Sequence, residues 1–225
     1  WTYFNDSWPP IMALITFPTI KAPSSITFGL KGSAQTFTSE FTGSSQYVRL
    51  PGSRWYGSAN WDNLDGADLE KLKAFLAQLE GPHNTFAFGD VSRDTPRSGL
   101  ASNVVLEVVA GPTIAAHSTQ MQIKRVSTSG TVSGTANAFL TGDYFSVVSS
   151  KGTELKIVTN DTTITNTGVS NLKFSPPLRG TVANGNDLTH IAPRGIMRLV
   201  DNEQAMWDIR APIIGTVGFA FQEAF

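Results

Sequence analysis

Two spacings of apolar residues organise this chain. Ile26-Thr27-Phe28-Gly29-Leu30 and Val217-Gly218-Phe219-Ala220-Phe221 alternate with period two. In a strand that spacing puts Ile26, Phe28 and Leu30 on one face, and likewise Val217, Phe219 and Phe221. Short apolar runs at 47–50, 197–200 and 207–210 read as further strands. Leu69, Leu72, Leu76 and Leu79 instead recur every three or four residues, with Phe75 beside them. This is the spacing of one helical face. Asp65 is placed to cap the first turn, with Asp68 and Glu70 near the positive helix start. Gly81-Pro82 ends the helix, the glycine being expected in the left-handed position. The spacing predicts a helix packed as a lid on a sheet.

From about 99 to 190 the texture changes to short apolar runs with few aromatics. Runs at 104–109, 121–126, 139–140, 144–148, 155–159 and 172–174 are cut by turn signals. Those signals are Ser129-Gly130, Thr141-Gly142-Asp143, Lys151-Gly152 and Asn184-Gly185-Asn186. Such short, even spacing predicts a compact barrel or sandwich. Its expected boundaries are the polar junctions at 90–99 and at Ala192-Pro193-Arg194-Gly195. The expected order is therefore a discontinuous β-sandwich domain with one helix, 1–98 and 193–225, interrupted by a small β-barrel domain, 99–192.

Composition narrows the chemistry. The 225 residues include no cysteine, so disulfides, thiolate metal sites and cysteine nucleophiles are excluded. Charged residues are 16% and the formal net charge is -1, with no Lys/Arg run, which argues against a general polyanion binder. No apolar stretch reaches the roughly 20 residues of a membrane-spanning helix. The opening residues lack the basic start and apolar run of a secretory signal, and a soluble protein made inside the cell is expected. Asn5-Asp6-Ser7 and Asn160-Asp161-Thr162 match the glycosylation acceptor pattern and read as surface turns.

Catalytic equipment is not legible. His83, His117 and His190 form no metal-ligand spacing, and Asp62, Asp65, Asp68 and Glu70 lack the pattern of a calcium loop. Helix-start electrostatics account for that acidic group. Nucleophile-elbow and phosphate-loop motifs are absent. A pair of carboxylates assembled by the fold into a hydrolase is a third, unsupported reading. What remains is Trp55, Tyr56 and Trp61 beside Arg49 and Arg54. These read as core anchors, as subunit-interface residues, or as a platform for stacking a sugar in a carbohydrate-binding module.

In sequence order the chain carries Arg54-Trp55, the helix, Asn84-Thr85-Phe86, Ser175-Pro176-Pro177-Leu178-Arg179, Met197-Arg198-Leu199, Trp207 and Phe219-Ala220-Phe221-Gln222-Glu223. This series resembles the minor tail proteins of long-tailed bacteriophages (siphophages), of the distal tail protein type, and the resemblance spans nearly the whole chain. It implies a virion structural protein, made in the host bacterial cytoplasm, and no enzyme. Such proteins form a ring, usually of six copies, between the tail tube protein and the hub or central fibre protein. The tape measure protein and later DNA pass through the lumen. The implied ring domain is a β-sandwich with a helix, built from the chain's two ends. The implied peripheral domain is a barrel, in some members of oligonucleotide/oligosaccharide-binding (OB-like) type. No cofactor, metal, membrane anchor or sequence-specific nucleic-acid binding is implied, and no catalytic residue is carried over.

Overall fold

In the computed structural model, residues 12–49, 52–126, 136–164, 168–202, 207–210 and 214–224 are described. Asn5-Asp6-Ser7 and the Ser129-Gly130 turn lie outside the described residues. The protein is mainly β, with one helix among the described residues. Strands are numbered β1 to β19 along the chain. By contact density the chain divides into two compact units: Trp1–Ile26, Ser58–Ala87 and Met197–Ala224 form one, and Thr27–Gly57, Phe88–Ile196 and Phe225 the other.

The largest sheet contains β1 (Leu14–Ile15), β2 (Ser25–Lys31), β5 (Arg54–Leu64), β6 (Thr85–Phe88), β17 (Gly195–Leu199), β18 (Trp207–Arg210) and β19 (Ile214–Glu223). Its order is β1-β6-β17-β19-β5-β2, with β18 also paired to β19. The last long strand thus lies between an early strand and another late one. Along β19 the expected alternation is realised, Val217, Phe219 and Phe221 being buried while Thr216 and Gly218 face out. Along β2 it fades: Ile26 and Phe28 are half-buried and Leu30 is exposed.

The helix α1 (Gly66–Leu79) covers the first unit's core. Asp65 caps it, its carboxylate accepting from Asp68 N at 3.1 Å. Leu69, Leu72, Phe75, Leu76 and Leu79 are all buried. Phe75 packs edge-on against Phe17 and Phe86, with centroids 5.0 and 5.4 Å away. Gly215 on β19 lies directly beneath Leu69: a Cβ there would stand 2.6 Å from Leu69 Cδ1, so only glycine lets the helix sit this close. At the helix end Gly81 is left-handed as expected, but a second left-handed residue precedes it. Glu80, not Gly81, is the first left-handed residue (φ 50°), its N–H donating to Ala77 O, and Gly81 follows at φ 68°.

The second unit holds a closed antiparallel barrel, ordered β11-β12-β14-β9-β7-β16. Its strands are β7 (Leu106–Val109), β9 (Gln120–Arg125), β11 (Tyr144–Ser149), β12 (Gly152–Val158), β14 (Val169–Ser175) and β16 (Asp187–Thr189). Alternate residues fill the interior, among them Leu106, Val108, Ile123, Phe145, Leu172 and Phe174. Closure rests on the three-residue β16, which sets Leu188 opposite Leu106 on one side and Val147 on the other. Two short pairs accompany the barrel: β8 (Thr113–Ile114) with β15 (Val182–Ala183), and β10 (Ala136–Phe139) with β13 (Thr162–Ile164). A further hairpin, β3 (Ala34–Thr38) with β4 (Ser45–Arg49), forms a two-stranded sheet of its own.

Candidate functional site

The five residues that stood out in the sequence do not form one cluster. Trp55 is buried, its Nε1 donating to Leu155 O at 2.7 Å and its ring stacked on Phe28 at 5.1 Å. Trp61 is buried as well, with Nε1 donating to Lys21 O at 2.8 Å and its ring stacked on Phe219 at 5.4 Å. Both indoles are core anchors, and a side chain so enclosed presents no face to a sugar or to a neighbouring subunit. Tyr56, between them on β5, points outward and is exposed, its ring lying over Gly29. Arg54 is half-buried at the start of β5. Arg49 ends β4, paired across the hairpin with Ala34.

Strand β12 carries the densest polar arrangement. Glu154 and Lys156 are both buried and meet at 2.7 Å. The Glu154 carboxylate also accepts from Arg179 N (2.9 Å) and Gly180 N (3.0 Å), while Lys156 Nζ donates to Pro177 O at 3.0 Å. The Ser-Pro-Pro-Leu-Arg segment, which contains a cis Ser175-Pro176 bond, is thus tied to one face of the barrel wall. Burial alone would raise the Glu154 pKa. The adjacent ammonium and the hydrogen bonds from Ser149 and Arg179 outweigh that and hold it below the ordinary glutamate range. The pair's donors and acceptors are spent on each other, on main chain and on Ser149, the arrangement of a structural clamp.

The acidic residues around the helix start have local partners. Asp65 caps the helix, and Asp68 accepts from Lys21 N at 3.0 Å and pairs with Lys71. Asp62 accepts from Asn60 Nδ2. No group of three His, Asp or Glu side chains suited to a metal converges among the described residues. His190 is buried beside Ala101 O (3.2 Å), and burial lowers its pKa more than its contacts with the carbonyls of Ala101 and Leu188 raise it. It borders a hollow of about 220 Å³ with Val104, Asp187 and Thr189, smaller than the ~300–1,000 Å³ of small-molecule pockets.

Among the described residues, the β3–β4 hairpin exposes a group of large apolar side chains. Every residue of β3 is exposed, and on the hairpin Phe37 (51%), Phe41 (99%), Tyr47 (72%) and Val48 (40%) present large apolar groups to solvent. Cross-strand register puts Phe37 and Val48 on one face and Tyr47 on the other. The turn is held by Ser39, Thr42 and Ser44, with Gly43 at φ 67°. In the sequence only the run at 47–50 marks this hairpin. The missed signal was Phe37 and Phe41 set in a Thr/Ser-rich stretch that has no second apolar face to bury them. No protein-family model matches the chain, and no curated protein matches it.

Proposed function

We propose that this chain is a structural ring component of a phage tail tip, joining the tail tube protein to the hub or central fibre protein. In this reading the copies, six as is usual for such rings, surround the passage for the tape measure protein and DNA. The ring-forming part corresponds to 1–98 with 193–225, and 99–192 is peripheral. The order of short motifs motivates the assignment, and the β3–β4 hairpin is the observation that carries it. Two strands without a third are marginally stable alone, and their outer N–H and C=O groups are open to further pairing. A ring of identical copies needs a projecting element on one side and a different receiving surface on the other, because its interfaces are heterologous. A hairpin bearing Phe37, Phe41, Tyr47 and Val48 suits the projecting half of that contact.

The role is tested by native mass spectrometry of the purified chain, alone and mixed with tail tube and hub proteins. The expected outcome is a closed oligomer, formed either by the chain itself or on a partner. A chain that stays monomeric at every concentration and joins neither partner overturns the reading.

A further inference from the structure

The sequence contains a single Asn-Gly dipeptide, Asn184-Gly185. It forms the turn from β15 into β16, with Gly185 at φ 80° and both residues exposed. Because glycine has no Cβ, the nitrogen after the asparagine is unshielded from the side-chain amide. Asn-Gly is therefore the dipeptide most open to cyclisation. In the folded barrel both reacting groups are engaged. Gly185 N–H donates to Val108 O at 2.9 Å, and Asn184 Oδ1 accepts from Ala110 N at 3.0 Å. Val108 N returns a bond to Asn186 O at 2.9 Å, and Asn186 Nδ2 donates to Val148 O at 2.8 Å.

We propose that Asn184 is a latent deamidation site, silent while this turn is docked on β7 and reactive when it lifts away. In the reaction, Gly185 N loses its proton and attacks Asn184 Cγ. The N–Cγ bond forms, the Cγ–Nδ2 bond breaks, and ammonia departs carrying the proton. Water then opens the five-membered imide at one of its two carbonyls, leaving aspartate or isoaspartate. Water is the only co-reactant.

The two products have different structural consequences. Aspartate keeps a side-chain oxygen for Ala110 N. Isoaspartate routes the main chain through the former side chain and adds one carbon to the backbone between Ala183 and Gly185. Asp187 and Leu188 pair with Glu107 and Leu106 immediately afterwards, so the added atom shifts the strand that closes the barrel. A transient opening is thereby converted into a lasting loss of closure.

The test is to age the full chain at mildly alkaline pH, with and without denaturing urea, and to follow Asn184 by peptide mapping that separates aspartate from isoaspartate. With two hydrogen bonds to break, deamidation in the folded chain is expected to be at least about tenfold slower than in urea. Hydrogen exchange at the Gly185 amide supplies a second reading, and protection there is expected to fall in step with faster deamidation in Leu188→Ala. Equal rates with and without urea, or an unprotected Gly185 amide in the folded chain, overturns the proposal.

Discussion

Trp55 Nε1 donates to the carbonyl of Leu155, 100 residues further along the chain, at 2.7 Å. Leu155 is flanked on β12 by Glu154 and Lys156, whose side chains hold Arg179, Gly180 and Pro177. Three consecutive residues of one barrel strand therefore gather two of the most distinctive stretches of the sequence, Arg54-Trp55 and Ser175-Pro176-Pro177-Leu178-Arg179. What looks like surface chemistry in the sequence is internal fastening in the fold. Trp55 and Trp61 face the core, and a group of exposed apolar side chains lies on the β3–β4 hairpin.

Replacing Trp55 by Phe keeps an aromatic ring against Phe28 but leaves the Leu155 carbonyl without its indole donor. The expected cost is about 2 kcal/mol, combining an unsatisfied buried acceptor with lost volume. It should appear as a lower urea midpoint with an unchanged slope. Tyr56→Ser, on the outward side of the same strand, is expected to change stability by no more than about 0.5 kcal/mol.

Elements that bury one face on a regular period were readable in the sequence. The leucine spacing marked α1, and the alternation around Phe219 marked β19, because each writes its burial into the residue order. The apolar runs marked β7, β9, β11, β12 and β14 for the same reason. By contrast, β16 offers only Leu188 between two polar residues, and β3 has no buried face at all. Neither leaves a pattern to read, although one closes the barrel and the other forms half of the candidate surface. The tryptophans were conspicuous, but residue type alone does not say which way a strand faces. On β5 the period-two run of buried residues from Trp55 to Trp61 decides it, until Asn63 at φ 56° breaks the alternation and Leu64 turns inward.

Glu154→Gln is expected to destabilise the barrel by about 3–5 kcal/mol, because the fully buried Lys156 ammonium loses its counter-charge. Adding Lys156→Met removes the stranded charge. The double variant should then be less destabilised than the sum of the single changes, with a coupling of about 1–3 kcal/mol in a double-mutant cycle of urea unfolding. Simple additivity would show that the clamp contributes nothing as a pair.

Acid should weaken the fold in two stages. The folded His190 imidazole titrates below the ordinary value of 6.5. On acidification the unfolded chain binds a proton that the folded chain still refuses, so stability falls as pH drops below 6.5. Folded Glu154 titrates below the ordinary 4.5. Its contribution is present above that value and is lost as pH falls through the folded pKa. His190→Gln should flatten the first stage and leave the second, as followed by chemical denaturation across the pH series.

The helix end offers a test of backbone strain. Glu80 is exposed in the left-handed region, a conformation that costs an L-residue roughly 1–2 kcal/mol. Glu80→Gly relieves that cost but loosens the unfolded chain, so a net gain of about 0.5 kcal/mol is expected in thermal unfolding. Gly81→Ala should act in the opposite direction by about 1 kcal/mol, because its φ is also left-handed and the new Cβ would stand 2.8 Å from Asn202 Oδ1.

The hairpin separates assembly from folding. Phe37 and Tyr47 are exposed on opposite faces of a two-stranded sheet, so replacing both by Ser removes apolar surface from each face without opening a core. Stability of the isolated chain should change by no more than about 0.5 kcal/mol per site. Association should respond far more. Each large aromatic buried at a subunit contact contributes about 1–2 kcal/mol or more, so the double change is expected to weaken each contact by at least about thirtyfold. Because a closed ring repeats the same contact around its axis, that loss is multiplied and the oligomer should disappear at concentrations where the unchanged chain is fully assembled. Sedimentation velocity of both proteins over a dilution series measures this. An unchanged oligomer in the Phe37→Ser, Tyr47→Ser variant would show that the copies meet through another surface.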